Sequence, residues 1–225
     1  IRRPPRSTRK ESSAASDVYK RQVSIGTIRK AIGVLEKEGI LIRKQGLGTF
    51  VFQHDNNSFL FEYFHFALNG SEEKKAPNVE LISFTTKKAN KSESKALKIP
   101  EGSNVYHIYN KLGLNKKFYI VDKIVISHAK FPSLSEEMFR NRTNTIYNLY
   151  QNKFNIFITN CSEKIKAISS NERISNLLNI ELNSPILKID RIGHTYHNEI
   201  IELRTSYVHT SDIEYIQSQN SMFGE

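Results

Sequence analysis

Residues 23–51 read VSIGTIRKAIGVLEKEGILIRKQGLGTFV. Ser24 precedes a run in which Ile28, Ala31, Ile32 and Leu35 recur at i, i+3, i+4 and i+7. That spacing predicts an amphipathic helix with one apolar stripe. The Ser24 hydroxyl suits the N-cap, where it accepts from a first-turn N–H. Gly39 suits the position after the last turn, because glycine takes positive φ without strain. The face opposite the stripe carries Gly26, Thr27, Arg29, Lys30 and Gly33. Small residues there admit close approach to a surface, and Arg29 and Lys30 offer donors to phosphates or base edges. Next, Ile40–Ile42 and Phe50–Phe52 predict a two-stranded hairpin across the glycine-containing turn KQGLG. A helix followed by a hairpin is the back half of a winged helix-turn-helix, with Arg43, Lys44 and Gln45 at the wing.

The charge distribution agrees with that placement. The chain has 225 residues and a formal net charge of +10. Residues 1–22 hold seven Lys/Arg against two Asp/Glu, and residues 23–52 hold five against two. Positive charge is concentrated at the front, as attraction to a phosphate backbone requires. No apolar run is long enough for a membrane span, and no apolar stretch follows the basic start, so neither a membrane partner nor a signal peptide is expected. The single cysteine, Cys161, allows no internal disulfide and suits a reducing cytoplasm. The pair in HTYH, His194 and His197, reads as loop histidines, and neither a metal nor a cofactor is expected.

Residues 1–22, IRRPPRSTRKESSAASDVYKRQ, have no helical or strand period. The string resembles translated adapter sequence from the ends of sequencing fragments, and a non-native or disordered leader is expected there. A native basic arm is the alternative.

The 29-residue stretch from Val23 to Val51 closely resembles the DNA-binding domain of GntR-type transcription regulators. Its Ser24–Arg29 start, its Leu35–Gly39 middle and its Gly46–Val51 wing each match the family pattern. The resemblance implies contacts to double-stranded operator DNA from Ser24, Thr27 and Arg29 on the helix and from Gln45 and Gly46 at the wing; the face opposite the apolar stripe adds Gly26 and Lys30, and the hairpin tip adds Lys44. Ile25 departs from it, standing where the family usually has arginine. The family also has two helices ahead of this one, which residues 1–22 are too poor in apolar positions to supply. The expectation is therefore a front-truncated, partial winged helix-turn-helix over residues 23–53, binding operator DNA weakly or not at all.

Residues 54–58, HDNNS, read as a linker. Beyond it, strands are predicted over 59–66, 79–89, 104–112, 118–127, 185–193 and 199–209. Helices are predicted over 144–153 and 171–180, with a short one in NKSESKALKIPEG. Strict alternation places Val79, Leu81, Ser83 and Thr85 on one face of their strand. The mixture is an α+β domain with an antiparallel sheet.

From about residue 76 to 215 the order resembles the UTRA effector domain of HutC-type GntR regulators, a fold shared with chorismate lyase. The resemblance rests on VYHIYNKLGLNKKFYIVDKIVIS, FPSL, NTIYNLYQNKFNI, SEKIKAISSNERISNLLNI, SPILKIDRIG and IIELRTSYVH. It implies an effector-binding and dimerisation domain over 59–222, with a small-molecule effector and a homodimer. Asp122 stands at the family's ligand-holding glutamate, Thr145 and Tyr147 at its Ser-x-Tyr pair, Glu202 at the last-strand glutamate. Ser83 and Phe84 match a strand whose backbone borders the pocket. Arg204 and Ser206 share the face of Glu202 by alternation. Asn110 and Leu112 replace two arginines found in phosphosugar sensors. Without those cations a buried dianion is poorly compensated, so a phosphosugar is disfavoured and Arg204 is left to hold a carboxylate. An enzyme of the lyase fold and a constitutive DNA-binding protein remain as alternatives.

Overall fold

The computed structural model describes residues 23–37, 41–44, 48–51, 63–71, 75–142 and 145–216. The predicted leader, the linker, Gln45 and Gly46 lie outside them. The chain divides into two compact units, Ile1–Phe52 and Gln53–Glu225.

In the first unit, helix α1 spans Ile25–Lys37. Ser24 caps it: its Oγ accepts from Thr27 N at 3.1 Å and lies 2.9 Å from Thr27 Oγ1. Strands β1 (Leu41–Lys44) and β2 (Gly48–Val51) pair antiparallel, with Leu41 opposite Val51 and Lys44 opposite Gly48. The Arg43 guanidinium reaches the Glu36 carboxylate at 3.1 Å and ties the hairpin to α1. None of Ile28, Ala31, Ile32 and Leu35 is buried; Ala31 is exposed and the others are half-buried.

The second unit is built on one antiparallel sheet. Its strands are β4 (Asn78–Lys88), β5 (Asn104–Leu114), β6 (Lys117–Ser127), β7 (Asn160–Ser169), β8 (Pro185–His194) and β9 (Ile200–Val208). Their order across the sheet is β4-β5-β6-β9-β8-β7. The β5–β6 hairpin turns on Asn115 and Lys116, with φ of 49° and 68°. Both central residues at positive φ give the tight turn whose twist matches the strands, so the strands run closer together than the predicted GLNKK loop.

One face is closed by α2 (Lys91–Leu97) and α5 (Glu172–Leu178). Helix α2 opens on a capping box in which Asn90 and Glu93 satisfy each other's backbone N–H. Its Leu97 packs with Ala89, Val105 and Val125. Helix α5 brings Ile174 and Leu178 onto Val121 and Ile186.

The other face is covered in two blocks. Helices α3 (Glu136–Arg140) and α4 (Ile146–Phe154) cover one end. There Phe131 meets the tilted ring of Tyr150 at 4.5 Å between centroids, and Phe84 lies between Tyr106 and Phe139 at 5.1 and 6.2 Å. At the other end a ribbon of β3 (Phe66–Leu68) and β10 (Ile213–Tyr215) packs with Phe64 onto Ile120, Ile189 and Val208. A polar band runs between the two blocks.

Two expectations need correction. Of the strand predicted over 59–66, residues 59–62 lie outside the described residues; in the remainder Tyr63 is helical, Phe64 and His65 are irregular, and β3 takes only Phe66 before running on to Leu68. An aromatic run fits a core-filling segment as well as a strand. Second, β4 carries a bulge between Leu81 and Ser83. Leu81 pairs with Asn110 but Ser83 pairs with Tyr109, so Ile82 is an extra residue and alternation flips. Val79 and Leu81 lie on one face; Ser83 and Thr85 lie on the other. Among the described residues no helix is long and apolar enough to cross a membrane.

Candidate functional site

The polar band is set by register. Across one row, Asn110 pairs with Asp122 and Asp122 with Ser206. In the next row, Ile124 pairs with Arg204, Arg204 with Arg191, and Arg191 with Glu163. In the third, Ile126 pairs with Glu202, Glu202 with Gly193, and Gly193 with Cys161. Paired residues project from the same face, so one sheet face collects Asn110, Asp122, Ser206, Arg204, Arg191, Glu163, Glu202 and Cys161.

Arg204 is the hub. Its Nε donates to Glu202 Oε1 at 2.8 Å and its Nη1 to Asp122 Oδ2 at 3.3 Å. Glu202 has no exposed surface and Asp122 only 3%. Glu202 also accepts from two phenols of α4, Tyr147 at 3.0 Å and Tyr150 at 2.8 Å. Asp122 Oδ1 accepts from Ser206 Oγ at 2.6 Å. The Arg204 guanidinium stacks 5.2 Å from the Tyr147 ring. Arg191, directly across the ladder, is held by Glu163 Oε1 at 2.5 Å and by Tyr63 O at 2.6 Å. Tyr215 completes that pair, donating to Glu163 Oε2 at 3.1 Å.

Burial sets the protonation states. Burial opposes charge on Arg204, but Glu202, Tyr147 and Asp122 outweigh it and hold the guanidinium well above its ordinary pKa. Burial raises Asp122 against the pull of Arg204 and the Ser206 hydroxyl. Tyr147 and Tyr150 are raised well above the phenol range, first by burial, and stay protonated to donate to Glu202. Burial pushes the Cys161 thiol up to about 12, which leaves it a neutral neighbour of the Tyr147 hydroxyl and not a nucleophile.

The structure thus brings together Asn110, Asp122, Tyr147, Glu202 and Arg204. Phe84 shares their face, since it pairs with Ile108 in the Arg204 row. The Ser83 side chain is on the opposite face. Leu112 shares the face of Asn110 but packs with the Phe64–Phe66 cluster. Thr145 caps α4, its Oγ1 accepting from Asn148 N at 3.1 Å. It lines a cavity of about 410 Å³ with Arg142, Asn148 and Lys153. Burial brings Arg142 down to about 10. A second cavity, about 520 Å³, lies beside Cys161, Glu163, Tyr63 and Tyr215. Sequence reasoning missed Arg191, Glu163 and Tyr150. The available signal was alternation on β7 and β8, which puts Cys161 and Glu163, and Arg191 and Gly193, on shared faces.

On α1, Ser24, Gly26, Thr27, Arg29 and Lys30 are all exposed. Among the described residues, a side chain at Gly33 would meet no atom within 4 Å, and one at Gly26 only Ser24 Oγ at 3.6 Å. Packing among the described residues of the unit therefore does not require glycine at either position. Lys44 ends β1 opposite Gly48.

Residues 72–214 match the family model described as the UTRA domain. A curated relative, the "Probable fructoselysine utilization operon transcriptional repressor" of Escherichia coli K12, is 28% identical over 80% of this chain and 73% of its own length. The mannosyl-D-glycerate transport/metabolism system repressor MngR of the same strain is 24% identical over 86% of this chain and 79% of its own. Among solved structures, a ligand-binding domain described as that of a GntR-family regulator from Bordetella bronchiseptica superposes with a TM-score of 0.65 at 24% identity, covering 69% of this chain and 96% of that one. YydK from Bacillus subtilis superposes with a TM-score of 0.61 at 17% identity, over 95% and 91%. Those two likenesses carry the fold.

Proposed function

The chain belongs to the UTRA-domain family as a GntR/HutC-type transcriptional regulator, and from that premise we propose that its effector binds in the polar band around Asp122, Glu202 and Arg204. The observation that carries this reading is a buried guanidinium shared between two buried carboxylates, roofed by two tyrosines of a separate helix. Such a network costs desolvation energy that an apolar core would avoid, and that expense is explained if it serves recognition. Relatives named for fructoselysine and mannosyl-D-glycerate metabolism support a small polar metabolite as the ligand class.

Asn110 and Leu112 support a ligand other than a phosphosugar. Neither is a cation, and Leu112 is committed to the apolar cluster. The ligand is neutral, zwitterionic or singly charged. Thr145 and the N–H groups of the first turn of α4 face its anionic end. Phe84 and the backbone at Ser83 border the pocket.

Operator DNA is contacted by Ser24, Gly26, Thr27, Arg29 and Lys30, with the wing residues Lys44, Gln45 and Gly46 along the backbone. The open space beside Gly26 and Gly33 among the described residues supports close approach from outside. The second unit dimerises, so the operator is palindromic. The enzyme alternative gains no support, since the relatives are named as regulators.

A duplex is selected from a random pool with the protein at low salt, where even weak binding is retained, and used in gel shifts. R29A is expected to abolish retention, and a ligand found by thermal shift is expected to change it. Loss of ligand response in E202Q and D122N supports the site; a full response in both overturns it. Sedimentation of the protein as a monomer at working concentrations overturns the dimer.

A further inference from the structure

We infer that the effector carries a primary ammonium, seated between Asn110 and Asp122, and that Arg204 is the internal cation it replaces there. This rests on the reading of the polar band as the effector site. Three observations lead to it. Asn110 is 97% buried by its exposure of 3%, and its Oδ1 has no hydrogen-bond partner. Asn110 is the direct register partner of Asp122, so the orphan acceptor and the carboxylate project side by side. The hold of Arg204 on Asp122, at 3.3 Å, is longer than its hold on Glu202, at 2.8 Å.

The charge balance has the same sense. One guanidinium serves two carboxylates, Asp122 and Glu202, while Arg191 is matched separately by Glu163. A second cation is accommodated in that cluster where a neutral hydroxyl leaves the excess carboxylate uncompensated. An ammonium has three donors and no acceptor, and it suits two neighbouring acceptor oxygens, one of them unpartnered. When it takes Asp122 Oδ2, Arg204 keeps Glu202 and its Nη1 is released. That freed donor, with Arg142 lining the neighbouring cavity by Thr145, receives an acid group on the same ligand. The ligand class is therefore a zwitterion with a primary amine at one end and a carboxylate at the other.

The test uses the full chain and a ladder of ω-amino acids of increasing length, each beside the hydroxy acid of equal length, read by thermal shift and calorimetry. One or more amino acids are expected to bind, with the matching hydroxy acid about tenfold weaker or worse. D122N should weaken the amine about tenfold, and N110D should tighten it by a similar factor. Both substitutions are isosteric; if N110D does not fold, N110A removes the acceptor and should weaken the amine. Equal binding of hydroxy and amino acids, shifts of the same sign in D122N and N110D, or no binding by any amino acid overturns the inference. If hydroxy acids bind and respond to D122N, the site stands and only the ammonium falls. If the bound compounds ignore both substitutions, the site falls as well.

Discussion

Replacing Glu202 by leucine is the sharpest test of the buried network. Glu202 has no exposed surface and accepts from Tyr147, Tyr150 and Arg204 at 3.0, 2.8 and 2.8 Å. In E202L the guanidinium keeps only its 3.3 Å bond to Asp122, and both phenols lose an acceptor. Removing one partner of a buried pair costs about 3–5 kcal/mol, and each stranded donor costs about 1–3 kcal/mol. These terms overlap, because one entering water relieves several donors at once, so about 4 kcal/mol is expected in total. For a unit of this size that is a fall of roughly 8–16 °C in Tm. The chain has no tryptophan and ten tyrosines, so tyrosine fluorescence follows urea unfolding without interference from tryptophan. E202Q keeps an acceptor and loses the charge, and should cost about half as much. The double variant E202L/R204M removes the stranded cation together with its partner, and should be more stable than E202L alone. A loss below about 1 kcal/mol in E202L, or singles that add without coupling in the double variant, would refute a desolvated, shared ion pair.

Three further outcomes follow from separate parts of the second unit. Cys161, raised to about 12 by burial, should react with iodoacetamide at neutral pH far more slowly in the folded protein than in urea; equal rates would show an open thiol. G113A sets a Cβ 2.2 Å from the Lys117 carbonyl oxygen, so the β5–β6 pairing, whose register shifts between Leu112 and Gly113, must open there, at about 1–3 kcal/mol by urea titration. On the opposite face, burial first lowers His107 below its ordinary 6.5 despite Glu93 at 3.2 Å. The neutral ring's contribution is full above 6.5 and is lost as pH falls through the lower folded value. Glu93 is also lowered: burial opposes this, but the Asn90 N–H, His107 and Lys123 outweigh it, so its contribution is full above 4.5 and is lost below. H107Q should flatten the stability profile just below pH 6.5 and leave an acid limb below 4.5; an unchanged profile would remove His107 from the balance.

Much of this was readable from residue pattern. Ser24, Asn90, Thr145 and Asn171 announce helix starts because a short polar side chain there accepts a first-turn N–H, a strictly local event. Alternation likewise placed Glu202, Arg204 and Ser206 on one face, since β9 pairs regularly along those residues. It failed at Ser83, because the bulge at Ile82 follows from where that side chain packs, beside Val121, Ile174 and Ile186, and no neighbour in sequence records that contact. Strand β7 went unread because it is an edge: Lys164, Ile165 and Lys166 are all exposed, so no apolar period survives. Arg191 and Glu163 went unread for a related reason. Their meaning lies in being register partners, 28 positions apart in the chain, and only the ladder joins them.

Glu202 links the sheet to the helix above it. It sits on β9, yet two of its three close partners belong to α4. The α2 and α5 clusters on the far face contain no residue of this network, so a displacement of α4 would leave their packing intact. A ligand moves such an equilibrium only by its differential affinity for the two positions, and the phenol bonds are where that difference can arise. Y150F deletes one of them, the 2.8 Å bond to Glu202 Oε2, while the carboxylate keeps Tyr147 and Arg204. Asn110 and Asp122 are untouched by the change. Ligand affinity should therefore stay within about threefold of wild type, a shift of under about 1 kcal/mol, while the ligand's effect on DNA retention is reduced. A variant that loses binding and DNA response in equal measure would show Tyr150 to be part of the ligand's seat, with the coupling carried elsewhere.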